Sequence, residues 1–187
     1  MLFRRSVLAL SLLTLLSACA TIPVDSLVQL SRVDVMTTDL AQLRAAVWLP
    51  AELQPLPDAA RLSVIVTRRG LPDDTLDLAL VASTDPADAE AFPPSKGHYL
   101  VYGLASADQA RLDTVRRAIL ADRQPGSMTL GVGVRAFCRT GAIPAGPLLA
   151  SSYVRTAETA AYVPLLMRFD LRSDPRLATA FEAVAPC

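Results

Sequence analysis

Apolar and polar residues alternate with a period of two through much of this 187-residue chain. That pattern constrains the fold more than any other feature, because successive side chains of an extended strand point to opposite faces. In LRAAVWL, Leu43, Ala45, Val47 and Leu49 share a face and Pro50 ends the run. A helix over 39–48 competes, since Leu40, Leu43 and Val47 also fit a 3.6 period; the strand is preferred. RLSVIVTR (61–68) is rich in β-branched residues, which suit a pleated surface. Gly70-Leu71-Pro72-Asp73-Asp74 then turns the chain into LDLALVAS (76–83), where Leu76, Leu78 and Leu80 share a face. TDPADAEAFPPSKG reads as a loop, and HYLVYGL (98–104) as the next strand.

SMTLGVGVRAFC (127–138) returns to the same period. Met128, Leu130, Val132, Val134, Ala136 and Cys138 point one way. Gly131 and Gly133 leave a bare strip on the other face, a pattern that suits cover by another backbone or side chain. After TGAIPAGP, SYVRT and YVPLLMRFDLR read as a hairpin around Ala157-Glu158-Thr159-Ala160. Pro164 lacks an amide hydrogen and belongs near a strand start or on a sheet edge.

One long stretch follows the other period. In SADQARLDTVRRAILADRQPG, Leu112, Val115, Ile119 and Leu120 form an apolar stripe, with Arg111, Asp113, Arg116, Arg117 and Asp122 toward water. Ser106 and Gln109 have the spacing of a capping box, and Pro125-Gly126 stops the run, so an amphipathic helix is predicted over 106–123. Asp174-Pro175 resembles an N-cap with proline at the first helical position, opening a short C-terminal helix with Leu177, Ala178 and Phe181. About seven strands against one long helix predict a mainly β fold: a single antiparallel β-sandwich-like domain over 41–187, with α+β as the alternative.

The N-terminus directs export. Arg4 and Arg5 precede an apolar run from Val7 to Leu16, and no acidic residue occurs before Asp25. The run falls short of the ~20 apolar residues that span a bilayer. It ends Leu16-Ser17-Ala18-Cys19, which resembles the lipobox of bacterial lipoproteins. The resemblance implies that residues 1–18 are removed and that Cys19 is the acylated first residue, with 19–40 as lipidated N-terminus and tether. Two or three acyl chains anchor stably where one does not. Ala20, in place of an aspartate after the cysteine, implies the outer membrane over the inner, facing the periplasm.

Without Arg4 and Arg5 the chain has 16 basic and 18 acidic side chains, a net charge of −2. No basic surplus points to nucleic acid. Seventeen of the 18 basic residues are arginine, which with the abundant Ala, Leu and Pro fits G+C-rich codon usage. Cys138 and Cys187 remain once Cys19 is acylated. An even pair in an exported chain implies a disulfide, and closing a loop of about 50 residues is worth roughly 4 kcal/mol. Two free thiols are the alternative. Through VRAFCRTG, YVRTAETAAYVPLL and the C-terminal cysteine, the domain also resembles uncharacterised lipoproteins of alphaproteobacteria. That resemblance implies the same disulfide and location and no mechanism.

Few residue patterns point to chemistry. His98 is the only histidine and opens a strand, an ordinary place for a surface or hydrogen-bonding imidazole. One histidine with both cysteines bonded leaves too few ligands for a zinc site. Asp85, Asp88 and Glu90 lack the EF-hand pattern and read as a solvated acidic loop, as do Asp73 and Asp74. No G-x-S-x-G, P-loop or H-E-x-x-H occurs, and Gly131-Val132-Gly133 lies inside a strand instead of at a strand-to-helix turn. Arg135, Arg139, Arg155 and Arg168 are expected to be solvated or to pair with Glu158 and Asp170; the alternative is a basic patch for phosphate or carboxylate groups. Trp48 and the four tyrosines fit either core or recognition surface. No cofactor is implied. The leading expectation is a lipid-anchored, non-catalytic domain that binds another envelope component through a sheet edge or exposed face. A small-ligand or lipid carrier, with a cavity between sheet and helix, comes second. A hydrolase using His98 comes third.

Overall fold

A computed structural model describes residues 23–121, 126–174 and 180–187. The signal segment and Cys19 lie outside these residues. So do Asp122 and Pro125 at the end of the long helix, and Pro175, Leu177 and Ala178 near the C-terminus. Among the described residues no helix is long and apolar enough to cross a membrane.

The fold is mainly β and antiparallel, as expected. Helix α1 (Val24–Leu30) leads to strands β1 (Arg44–Pro50), β2 (Leu53–Pro55), β3 (Ala60–Arg68) and β4 (Asp74–Ala82). The short helix α2 (Pro86–Glu90), β5 (Gly97–Leu104) and the long helix α3 (Ser106–Ala121) follow. Strands β6 (Gly126–Val134), β7 (Phe137–Arg139), β8 (Leu149–Arg155) and β9 (Val163–Asp170) complete the order, before 3-10 turns at Leu171–Ser173 and Ala180–Ala183. Seven strands form one sheet in the order β6-β3-β4-β5-β1-β8-β9, and β2 and β7 make a separate ribbon. The layering comes from that one sheet curling on itself. Val132 and Val134 of β6 thereby reach the cluster of Val47, Leu49 and Ala150 on β1 and β8.

The alternation sets the core. Ala45, Val47 and Leu49 are buried on the inner face of β1, a strand and not a helix, and Leu43 is buried just before it. Leu62, Val64 and Val66 of β3 and Leu76, Leu78 and Leu80 of β4 join them. Helix α3 lays Leu112 and Ile119 into this cluster. Fully burying one such leucine contributes about 2 kcal/mol. Pro164, the second residue of β9, sits on an edge strand as predicted.

Several expectations need correction. Residues 24–40 are not a free tether: Ser26, Thr38 and Leu40 are buried, and Leu30 and Met36 pack against the core. The stretch 127–138 is two strands, because Arg135 N donates to Ala59 O (3.0 Å) and Leu56 N to Ala136 O (3.0 Å), which turns the chain from β3 toward β2. The capping box of α3 does not form. Gln109 Nε2 instead donates to Leu104 O at 2.8 Å, and Asp108 Oδ2 accepts Ala79 N from β4 at 2.6 Å. Arg116, expected in water, is buried with Nη1 on Thr38 O at 2.9 Å, whereas Leu120 is exposed. The loop after β4 contains α2, capped by Asp85, which accepts Ala87 N at 3.0 Å.

Cys138 and Cys187 are disulfide-bonded with Cα atoms 4.9 Å apart. The backbone reinforces the link: Arg139 N donates to Ala185 O at 2.9 Å, and Cys187 N to Arg139 O at 3.0 Å. The chain end is thus fastened to β7.

Candidate functional site: two arginines bridged by a buried aspartate

Arg44 at the start of β1 and Arg155 at the end of β8 are direct partners in the antiparallel register. Both project from the outer face of the sheet, since Ala45 and Val154 beside them point into the core. Like charges opposite one another on neighbouring strands repel. Here Asp88 of α2 comes between them. Its carboxylate lies 3.2 Å from Arg44 Nε and 2.9 Å from Arg155 Nη2. Ser83 Oγ donates to it at 2.6 Å and Tyr162 Oη at 2.8 Å.

Asp88 is 1% exposed, which overturns its reading as part of a solvated acidic loop; Asp85 and Glu90 do remain exposed. Burial pushes its carboxyl up, but Ser83, Tyr162, Arg155 and Arg44 together outweigh that and hold it below the usual aspartate value. Three of these contacts are hydrogen bonds, from Arg44, Ser83 and Tyr162, and Arg155 adds a close ion pair. Tyr162 shifts the opposite way, driven up by burial and by its hydrogen bond to Asp88. Arg155 also lies over the Tyr162 ring, 5.0 Å from its centroid.

Around this cluster the 83–96 segment covers the outer face of β5, β1 and β8. Phe92 stacks on Tyr99 at 4.2 Å and packs against Tyr162 and Tyr153 at 4.6 and 5.4 Å. Trp48 Nε1 donates to Ser95 Oγ at 2.8 Å. Three of the four tyrosines therefore form a second packed layer outside the sheet, while Tyr102 is in the main core.

Beside the arginines a cleft of about 290 Å³ is lined by Gln42, Arg44, Arg155, Thr156, Ala157 and Ala160. A second cavity, about 160 Å³ and largely apolar, opens between β6 and the β8–β9 edge, with Val132, Ala150, Leu166 and Phe169 among its walls. It is not between sheet and helix, and it is smaller than the ~300 Å³ at which pockets for drug-sized ligands begin.

The four arginines singled out in the sequence do not form one patch. Arg135 pairs with Asp77 at 2.8 Å, Arg139 Nε donates to Val184 O at 3.1 Å, Arg155 joins Asp88, and Arg168 is exposed on β9. Their expected partners are otherwise engaged. Glu158 accepts Thr38 Oγ1 at 2.8 Å, and Asp170 accepts Leu148 N and Arg172 N, each at 3.0 Å. His98 is half-buried in β5, and burial holds its imidazole below the ordinary value against a backbone hydrogen bond with Leu53. No carboxylate or hydroxyl is recorded within hydrogen-bond reach of it among the described residues. Nor does any group of three or more His, Cys, Asp or Glu there have the arrangement of a metal site.

The free edge of β6 is the second notable surface. β6 pairs with β3 over all nine residues, from Ala60↔Val134 to Arg68↔Gly126, with no second neighbour. GSMTLGVGV carries no charge and no proline. A Cβ built on Gly133 meets nothing within 4 Å, and one on Gly131 only ordinary contacts with Ser63. The cover expected over these glycines is absent from the described residues. No family model matches the sequence, and neither a curated protein nor a solved structure matches it.

Proposed function

We propose that this chain is an exported lipoprotein, held by acyl groups on Cys19, whose domain works by binding another envelope component instead of by catalysis. The observation that carries the binding reading is β6. Folded proteins protect sheet edges with charges, prolines, bulges or a covering segment. The other edge, β9, has α1 packed near it and carries Pro164 and a bulge where it meets β8. Among the described residues β6 has no charge, proline or paired strand along its edge, although Val132 and Val134 at its far end pack toward β1 and β8.

A partner strand added along β6 gains main-chain hydrogen bonds, and the bare glycine strip leaves room for the partner's side chains. Neither glycine has a positive φ, and neither is crowded, so the fold itself does not demand them. The anchor reading rests on the LSAC motif behind its apolar run, with Ala20 favouring the outer membrane and a domain facing the periplasm.

Photo-crosslinking in cells tests the edge, with the probe at the exposed Thr129. Capture of a defined envelope partner from Thr129, abolished when Gly131→Lys charges the edge, supports it. No capture, or capture indifferent to Gly131→Lys, overturns it. Incorporation of labelled fatty acid, lost in Cys19→Ser, tests the anchor separately.

A further inference from the structure

We propose that the cleft beside Arg44 and Arg155 binds a small ligand through an oxyanion, a phosphate or a carboxylate. The charges do not balance within the cluster. Two guanidinium groups meet one carboxylate, which leaves one positive charge at the wall of the cleft. Each guanidinium has five N–H donors. Arg44 engages Nε with Asp88 and Nη1 with the carbonyls of Ala41 (2.9 Å) and Leu43 (3.0 Å). Arg155 places Nη2 on Asp88. Both side chains line an open space of about 290 Å³, room for a phosphate or a small carboxylate with part of its carrier.

Neutralising Asp88 requires one arginine; a second, directly opposite the first in the register, adds repulsion that the fold does not need. Glu158 in the adjoining turn accepts Thr38 Oγ1 and acts on the charge of the buried Arg116. Because the buried Asp88 is ion-paired with both arginines, their side chains are held before a ligand arrives, which lowers the entropic cost of binding. Gln42 and the turn carrying Ala160, at φ 54°, complete the wall.

The test uses the full processed chain in detergent, titrated with inorganic phosphate, acetate and glycerophosphoglycerol, with amide and arginine Nε–H resonances as the readout. Saturable shifts at Arg155 and Thr156–Ala160 are expected. Ala157→Glu, which places a carboxylate at the rim without touching the Asp88 bonds, should weaken binding by about tenfold or more while melting is unchanged. Tighter binding of glycerophosphoglycerol identifies a lipid headgroup as the source, and tighter binding of free phosphate or acetate a soluble ligand. Non-saturating shifts, or saturation that Ala157→Glu leaves intact, overturn the proposal. These readouts do not involve β6.

Discussion

Arg44 and Arg155, 111 positions apart in the chain, meet as register partners on β1 and β8 and share one carboxylate, Asp88, that water hardly reaches. This relationship ties the strap over the outer sheet face to the strands beneath it. It also concentrates several consequences in one residue.

Asp88→Ala should destabilise the domain by about 3 kcal/mol. Removing one partner of a buried ion pair costs about 3–5 kcal/mol. The lower end applies because the arginine side chains stay 24% and 26% exposed and can rehydrate. Urea unfolding at neutral pH checks the value, and Tyr162→Phe, which removes one donor to the buried carboxylate, should cost about 1.5–3 kcal/mol.

The pH dependence follows from the same carboxylate. Its folded pKa lies below the unfolded value of about 3.9, so its contribution is complete above that pH and is lost as pH falls through the folded value. Glu158, lowered by the neighbouring Thr156 and Thr38 hydroxyls against some burial, acts in the same direction. Melting curves should therefore fall steeply below about pH 4, and the fall should be shallower in Asp88→Asn.

His98 adds a separate window. Its folded pKa is depressed below 6.5, so the unfolded chain takes up the proton first and stability rises with pH through the region just under 6.5. His98→Gln should remove that slope and leave the acid limb in place. Thermal melts at pH 5.5 to 7.5, in wild type and variant, measure it.

The inner faces of β3 and β4 were legible because burial there follows the period of two residue by residue. Leu62, Val64 and Val66 needed no tertiary information. The Asp88 cluster was hidden for the opposite reason. Seen locally, Asp85, Asp88 and Glu90 differ little, and only partners 44 and 74 positions away make one of them buried. Asp85-Pro86 did carry a helix-start signal, an N-cap before a proline, that would have revealed α2. Arg116 misled in the same way as Asp88, since its partner carbonyl on Thr38 is 78 positions away.

Loss of the Cys138–Cys187 link should lower stability by about 4 kcal/mol in the chain-entropy model for a separation of 49 residues. The native backbone bonds of Arg139 to Ala185 and Cys187 hold the same ends together but do not constrain the unfolded chain. Cys187→Ser should thus keep a native-like spectrum while melting earlier. Reductant should lower the wild-type melting temperature and leave the variant's unchanged.

Two glycine-to-alanine changes should move stability in opposite directions. A Cβ at Gly97 would overlap Leu49 O and the indole of Trp48, both fixed in β1, so Gly97→Ala should cost about 1–3 kcal/mol as overpacking. A Cβ at Gly133 meets open space on an extended backbone, so Gly133→Ala should gain about 0.5 kcal/mol by removing glycine's excess unfolded-state freedom. Denaturant midpoints measure both. If β6 receives a partner strand along its edge whose side chains reach over the glycine strip, the stabilised Gly133→Ala domain should nonetheless crosslink to that partner less efficiently than wild type. A gain in stability with partner capture unchanged would mean that the glycine strip serves neither the fold nor the edge.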